Sequence, residues 1–226
     1  MAEQSIVIVG NSADGTLTSY RLGGDALEPL ATSRVGAGCS TFAVDAARAL
    51  VYCATKDPTP AILTLSLDRA SGVLTETGRA PIAHPLASLH LSRDGGLLLG
   101  ASYHGGWGEV WPVVDGRLGA PTAHIEHDAL HCVITDAAGE FAYFVSLGED
   151  LIAQYALSGD GSLAPLARPV ADAPTGAGAR HLVLSTDERS AYLITEFSGE
   201  AIHYLRDEAG ILTRAEAISA VDPDAG

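Results

Sequence analysis

The chain has 226 residues, 47% of them apolar and only 18% charged, which supplies a buried core and excludes a disordered chain. Twenty-eight acidic against 13 basic side chains give a formal net charge of −15. A surface of that sign repels nucleic-acid backbones and anionic lipid, yet a locally basic cleft can still take a small anionic ligand.

The segment Met1–Gly10 has no basic stretch ahead of its apolar residues, so no secretory signal is expected. From Ser5 the chain reads as short alternating runs: SIVIVG, then TLTSYRL from Thr16, then a strand opening at Leu27. TFAVDAARALVYCAT from Thr41 is two short strands around an Asp turn, and AILTLSLDRASGVLTET from Ala61 is two more. The same pair of elements follows as SLHLSRDGGLLLGAS from Ser88 and GEVWPVVDGRLGAP from Gly108. It returns as CVITDAAGEFAYFVS from Cys132 and IAQYALSGDGSLAPL from Ile152, and again as LVLSTDERSAYLITE from Leu182 and AIHYLRDEAGILTRA from Ala201. The leucines that open each last strand, Leu27, Leu74, Leu118, Leu163 and Leu212, are spaced by 47, 44, 45 and 49 residues. Asp207–Val221 has weak helical amphipathicity, but its match to the other units favours strand. No apolar run approaches the ~20 residues that span a bilayer. Cys39, Cys53 and Cys132 form no CxxC pair and read as buried thiols of a cytoplasmic protein.

A four-stranded unit of 40–50 residues repeated along a chain is a β-propeller blade. The expected fold is therefore all-β, a single propeller domain over residues 1–226 with antiparallel blades at about 5–38, 39–84, 85–128, 129–174 and 175–226. The first unit has three strands and the others four, giving 19. The tail AVDPDAG offers no apolar strand to complete the first blade, so the chain reads as incomplete at its C-terminus.

Three stretches in order resemble the seven-bladed propeller lactonases of the 6-phosphogluconolactonase and cycloisomerase type. GASYHGGWGEVWPVVDGRL (100–118) resembles that family's NYNGGSVSVFPL…DG block, LHCVITDAAGEFAYFV (130–145) its CHS…SPDGRFLYV block, and GAGARHLVLSTDERSAYLITE (176–196) its GAGPRH…NE block. The resemblance implies five of seven blades, and hydrolysis of an anionic sugar-acid lactone such as 6-phosphogluconolactone, a step of the pentose phosphate pathway, without a metal or other cofactor. It carries His131, Arg180 and Glu196 over as catalytic residues. His104 and His181 follow as substrate-binding residues. Cys132, Ala179 and Thr195 depart from the family's serine, proline and asparagine.

Lactone hydrolysis needs a base that is neutral near pH 7 and a stabiliser of the tetrahedral oxyanion. Histidine and arginine suit those roles, and a guanidinium fork also holds phosphate or carboxylate. In the repeat register His131 and Arg180 both open an innermost strand, 49 residues apart, and Glu196 ends the second strand of Arg180's blade. On residue type alone, His131 reads first as a strand-end histidine bonded to backbone; the resemblance reverses that order. His124, His127 and His131 have a spacing that suggests a metal site, but the segment reads as a loop entering a strand. GAGAR at Gly176 is either an anion-binding run of backbone N–H groups or a plain turn between blades. SYHGGWG reads as a turn, and the absence of a G-x-S-x-G elbow argues against a serine nucleophile. Two alternatives stay open: a muconate-type lactonizing cycloisomerase, and a non-catalytic propeller that binds partners.

Overall fold

A computed structural model describes residues 5–221. Blade 1 is β1 (Ser5–Asn11), β2 (Thr16–Gly23) and β3 (Ala26–Arg34); blade 2 is β4 (Phe42–Asp45), β5 (Leu50–Thr55), β6 (Ala61–Leu67) and β7 (Leu74–Pro81). Blade 3 is β8 (Ser88–Leu91), β9 (Leu97–Ser102), β10 (Trp107–Val114), β11 (Arg117–Leu118) and β12 (Ala123–Glu126). Blade 4 is β13 (Leu130–Thr135), β14 (Phe141–Ser146), β15 (Leu151–Leu157) and β16 (Leu163–Asp172); blade 5 is β17 (Ala179–Leu184), β18 (Ser190–Thr195), β19 (Glu200–Arg206) and β20 (Leu212–Ser219). Every pairing is antiparallel between chain neighbours, apart from β12, which returns to β10. The fold is an all-β propeller.

Two details differ from the sequence reading. The described residues contain 20 strands, not 19, because the outer strand of blade 3 is broken into β11 and β12 around the loop at Gly119–Thr122. His124 therefore sits on a strand, paired with Glu109, rather than in a loop. The segment after Asp207 forms a strand, since Leu212 is fully buried against blade 4. Of the tail AVDPDAG, residues 222–226 lie outside the described residues.

The first strands β4, β8, β13 and β17 pack side by side in chain order, which places them innermost around the axis. Alternation in each strand sends one set of side chains to the preceding blade and the other to the following one. The core is accordingly four layers between blades. Leu17 and Val35 meet Val51 and Leu63, while Tyr52 and Ile62 meet Leu98, Trp107 and Trp111. Leu99 and Val110 meet Val133 and Phe144, and Tyr143 and Ile152 meet Leu193, Ile202 and Tyr204. Fully burying one such side chain contributes about 1.5–3 kcal/mol.

Polar contacts fix the angle between blades. The Tyr52 hydroxyl donates to the Gly116 carbonyl in the next blade (3.1 Å), and Tyr143 donates to that of Gly210 (2.7 Å). Between blades 4 and 5, Arg206 also donates to Tyr143 Oη and to the buried Asp136 carboxylate (2.8 and 3.1 Å). All three cysteines are free and buried, and burial raises the pKa of each thiol. Among the described residues there is no helix long and apolar enough to cross a membrane.

Candidate functional site

Each innermost strand of blades 4 and 5 opens with a β-bulge. Leu130 pairs with Ser146 and Cys132 with Val145, which leaves His131 out of register between them. Ala179 pairs with Thr195 and His181 with Ile194, which leaves Arg180 in the same position one blade on. A bulged residue escapes the strict alternation of the ladder, so its side chain is re-aimed. Both side chains turn into one cleft of about 370 Å³ at the end of the axis. Cys132, back in register, is buried in the layer between the blades.

The cleft brings together His104, His131, Arg180 and Glu196. Glu196 follows directly after β18, and its N–H donates to the Gly178 carbonyl (2.7 Å), so the chain turns there beside Arg180. Its Oε2 lies 2.7 Å from Arg180 Nε. That Nε is buried and its N–H is not aligned on an acceptor, so the contact is an ion pair rather than a formed hydrogen bond. The terminal guanidinium nitrogens have no partner among the described residues.

His131 is half-buried, with Nδ1 enclosed and without a hydrogen-bond partner. Burial is the main reason its pKa lies below the ordinary histidine value; the positive charges of Arg180 and His181 push the same way, and Glu196 opposes them. The imidazole is therefore neutral at pH 7 and available to accept a proton. Its ring meets that of Tyr103 edge-on at 6.0 Å and that of His181 at 4.9 Å. His181 is held low by burial and by Arg180. It is not among the side chains that line the cleft, and it reaches the site only through its ring contact with His131.

Several lining residues were missed by the sequence reading. Tyr103 covers His131 and His104, and Ser12, Ser40 and Lys56 come from blades 1 and 2. Lys56 is the only lysine among the 226 residues, a signal present in the composition itself.

Two other sequence candidates have local partners. Gly176 and Gly178 donate their N–H groups to the two carboxylate oxygens of Asp150, both at 2.6 Å. The run of N–H groups at GAGAR thus binds an anion that the chain itself supplies. His124 Nδ1 lies 3.1 Å from Glu109, and His127 Nδ1 lies 2.7 Å from Glu149. These two and His131 form no common shell, and among the described residues no three His, Cys, Asp or Glu side chains could hold a metal ion.

Residues 6–226 match a family model described as "Lactonase, 7-bladed beta-propeller". A 6-phosphogluconolactonase of Sodalis glossinidius is 32% identical over 156 residues, which is 68% of this chain and 46% of that protein. A 6-phosphogluconolactonase of Pectobacterium atrosepticum is 26% identical over 222 residues, 96% of this chain and 66% of its own length. Among solved structures, a periplasmic gluconolactonase of Pseudomonas aeruginosa superposes with a TM-score of 0.87 at 22% identity, covering 99% of this chain and 69% of that one. The chain thus spans from about half to two-thirds of the length of the curated relatives quoted.

Proposed function

Because the chain belongs to the seven-bladed β-propeller lactonase family, we propose that it hydrolyses a sugar-acid lactone, with 6-phosphogluconolactone as substrate, and that it does so without a metal. One observation carries the reading: the base and the cation that lactone opening requires, His131 and Arg180, stand on matching bulges of adjacent blades and share one cleft with Glu196. The names of the relatives support the substrate class.

In the proposed mechanism, neutral His131 takes a proton from water as the water oxygen adds to the lactone carbonyl carbon. Negative charge then develops on the carbonyl oxygen, and the terminal nitrogens of Arg180 stabilise it. Glu196 holds the guanidinium from its Nε side and, by its charge, stabilises the imidazolium once His131 is protonated. When the tetrahedral intermediate collapses, the carbonyl re-forms and the ring C–O bond breaks. His131 returns its proton to the departing ring oxygen, and the product is the open hydroxy acid.

The test is proton release from 6-phosphogluconolactone above the spontaneous rate, with EDTA present. His131→Ala is expected to lower kcat by about 10²–10⁴-fold while the chain stays folded. A folded parent chain that gives no acceleration refutes the reading on this substrate, and acceleration abolished by EDTA refutes metal independence.

A further inference from the structure

The chain is strongly acidic, yet the cleft gathers two cations and two histidines against one carboxylate, Glu196. That carboxylate lies on Arg180, so part of the arginine's charge is already answered. Lys56 is different. It lines the same cleft from blade 2, and among the described residues its ammonium has neither an ion-pair nor a hydrogen-bond partner. A chain with a single lysine has placed it, unneutralised, in its candidate site.

The backbone around Lys56 holds it there. Its N–H donates to the Ala37 carbonyl (2.9 Å), and Gly38 packs directly on its aliphatic stem. A Cβ at position 38 would stand 2.5 Å from Lys56 Cγ, and Gly38 has a φ of 80°, so the close approach depends on glycine. Ser12 and Ser40 line the cleft beside it and add hydroxyl donors. The blades follow one another in chain order around the axis, which sets this group from blades 1 and 2 opposite Arg180 and Glu196 of blade 5. A compact ammonium with hydroxyls nearby suits a tetrahedral phosphate, which carries about −1.5 to −2 charges at pH 7.

We infer that Lys56, with Ser12 and Ser40, binds the phosphate of a phosphorylated sugar lactone, and so sets both the preference for a phosphorylated substrate and the direction in which the lactone carbonyl meets His131. The inference rests on the lactonase reading for its substrate class. It assigns the phosphate to Lys56 and leaves Arg180 for the oxyanion.

Two measurements test it. In the first, Lys56→Gln and Lys56→Arg are compared with the parent on 6-phosphogluconolactone and on unphosphorylated gluconolactone. Lys56→Gln is expected to lower kcat/KM for the phosphorylated lactone by roughly 10- to 100-fold, mainly through KM, with less than twofold change on the neutral one. Lys56→Arg keeps the charge and should restore most of the difference. An equal loss on both lactones, or a loss on neither, overturns the assignment. The second measurement does not depend on turnover. Reductive ¹³C-methylation labels Lys56 as the only side-chain amine, its resonance being the one missing from Lys56→Gln. Titration with 6-phosphogluconate should shift that resonance, and gluconate should not. A parent chain that turns over neither lactone but shows this selective shift would refute the hydrolase and keep the phosphate site. No shift with 6-phosphogluconate, or the same shift with both ligands, overturns the site whatever the activity.

Discussion

The corner before blade 2 and the corner before blade 5 are built alike and carry different side chains. Each is a Gly-Ala-Gly run, 36–38 and 176–178, with both glycines at positive φ. In each, the alanine carbonyl accepts two successive N–H groups from the end of the next blade's second strand: Lys56 and Asp57 on Ala37, Phe197 and Ser198 on Ala177. In each, the second glycine lies under the first of those side chains, with a Cβ at 38 or 178 falling 2.5 Å from Lys56 or 2.6 Å from Phe197. The supports differ. Before blade 5 the Asp150 carboxylate takes the N–H groups of Gly176 and Gly178; before blade 2 the loop settles on backbone instead, Gly36 donating to the Gly15 carbonyl and Gly38 to that of Ser12 (both 3.0 Å). Gly15 permits this, since a Cβ there would lie 2.9 Å from Ala37 N. A shared backbone frame fixes where a side chain is presented, and the residue type at that point decides whether the corner serves catalysis, binding or neither.

The comparison is broken most strongly at the residues the blade 5 corner delivers. Arg180→Gln should lower kcat by about 10²–10³-fold on phosphorylated and neutral lactones alike, because an oxyanion contact serves both. That outcome, set against the selective effect expected at Lys56, would separate the two corners by steady-state kinetics. Next in size is the support. Asp150→Ala leaves the two glycine N–H groups without their acceptor and should cost about 1–3 kcal/mol, seen as a lower urea midpoint at unchanged slope.

A pH profile sharpens the electrostatic side of the contrast. His131 must be deprotonated to act as base, so kcat/KM rises with pH and levels off above its pKa. Because that pKa is depressed, the half-maximal point of the acid limb should fall below about pH 6.5, the ordinary histidine value. Glu196→Gln removes the one neighbour that raises the pKa and should move the acid limb to still lower pH. Stability follows the same sign. His90, His131 and His181 all have lowered pKa values, so the unfolded chain binds more protons below about pH 6.5 and stability declines as pH falls from there through the folded values. Urea midpoints at pH 7.5 and 5.5 would show it.

The smallest effect distinguishes the two close approaches. Gly178→Ala presses on Phe197, which is 64% exposed and free to swing away, so it should cost about 1 kcal/mol of stability through its positive φ and little affinity. Gly38→Ala presses on the stem of Lys56 and should weaken 6-phosphogluconate binding several-fold as well. Calorimetric titration of both variants checks the pair.

Much of this was legible in the sequence. The leucine spacing and the period-2 runs specify blades, since a strand needs only alternation and a turn to declare itself. That His131, Arg180 and Glu196 belong together was legible because each lies at a fixed place in the repeat and in the family's blocks, and the three line one cleft. The break of the blade 3 outer strand was not legible, for Gly119–Thr122 reads as ordinary turn residues. Neither was the anion at GAGAR, because Asp150 is 26 residues away from Gly176.

What the sequence determined by itself is the architecture and the kinds of side chain available, because periodicity and residue type are local properties. Tertiary structure alone decided the rest. The bulges that turn His131 and Arg180 into one cleft arise from how each inner strand pairs with its neighbour. The seat of Lys56 beside Gly38 exists only once two blades pack, and its place opposite Arg180 only once five of them curve around one axis.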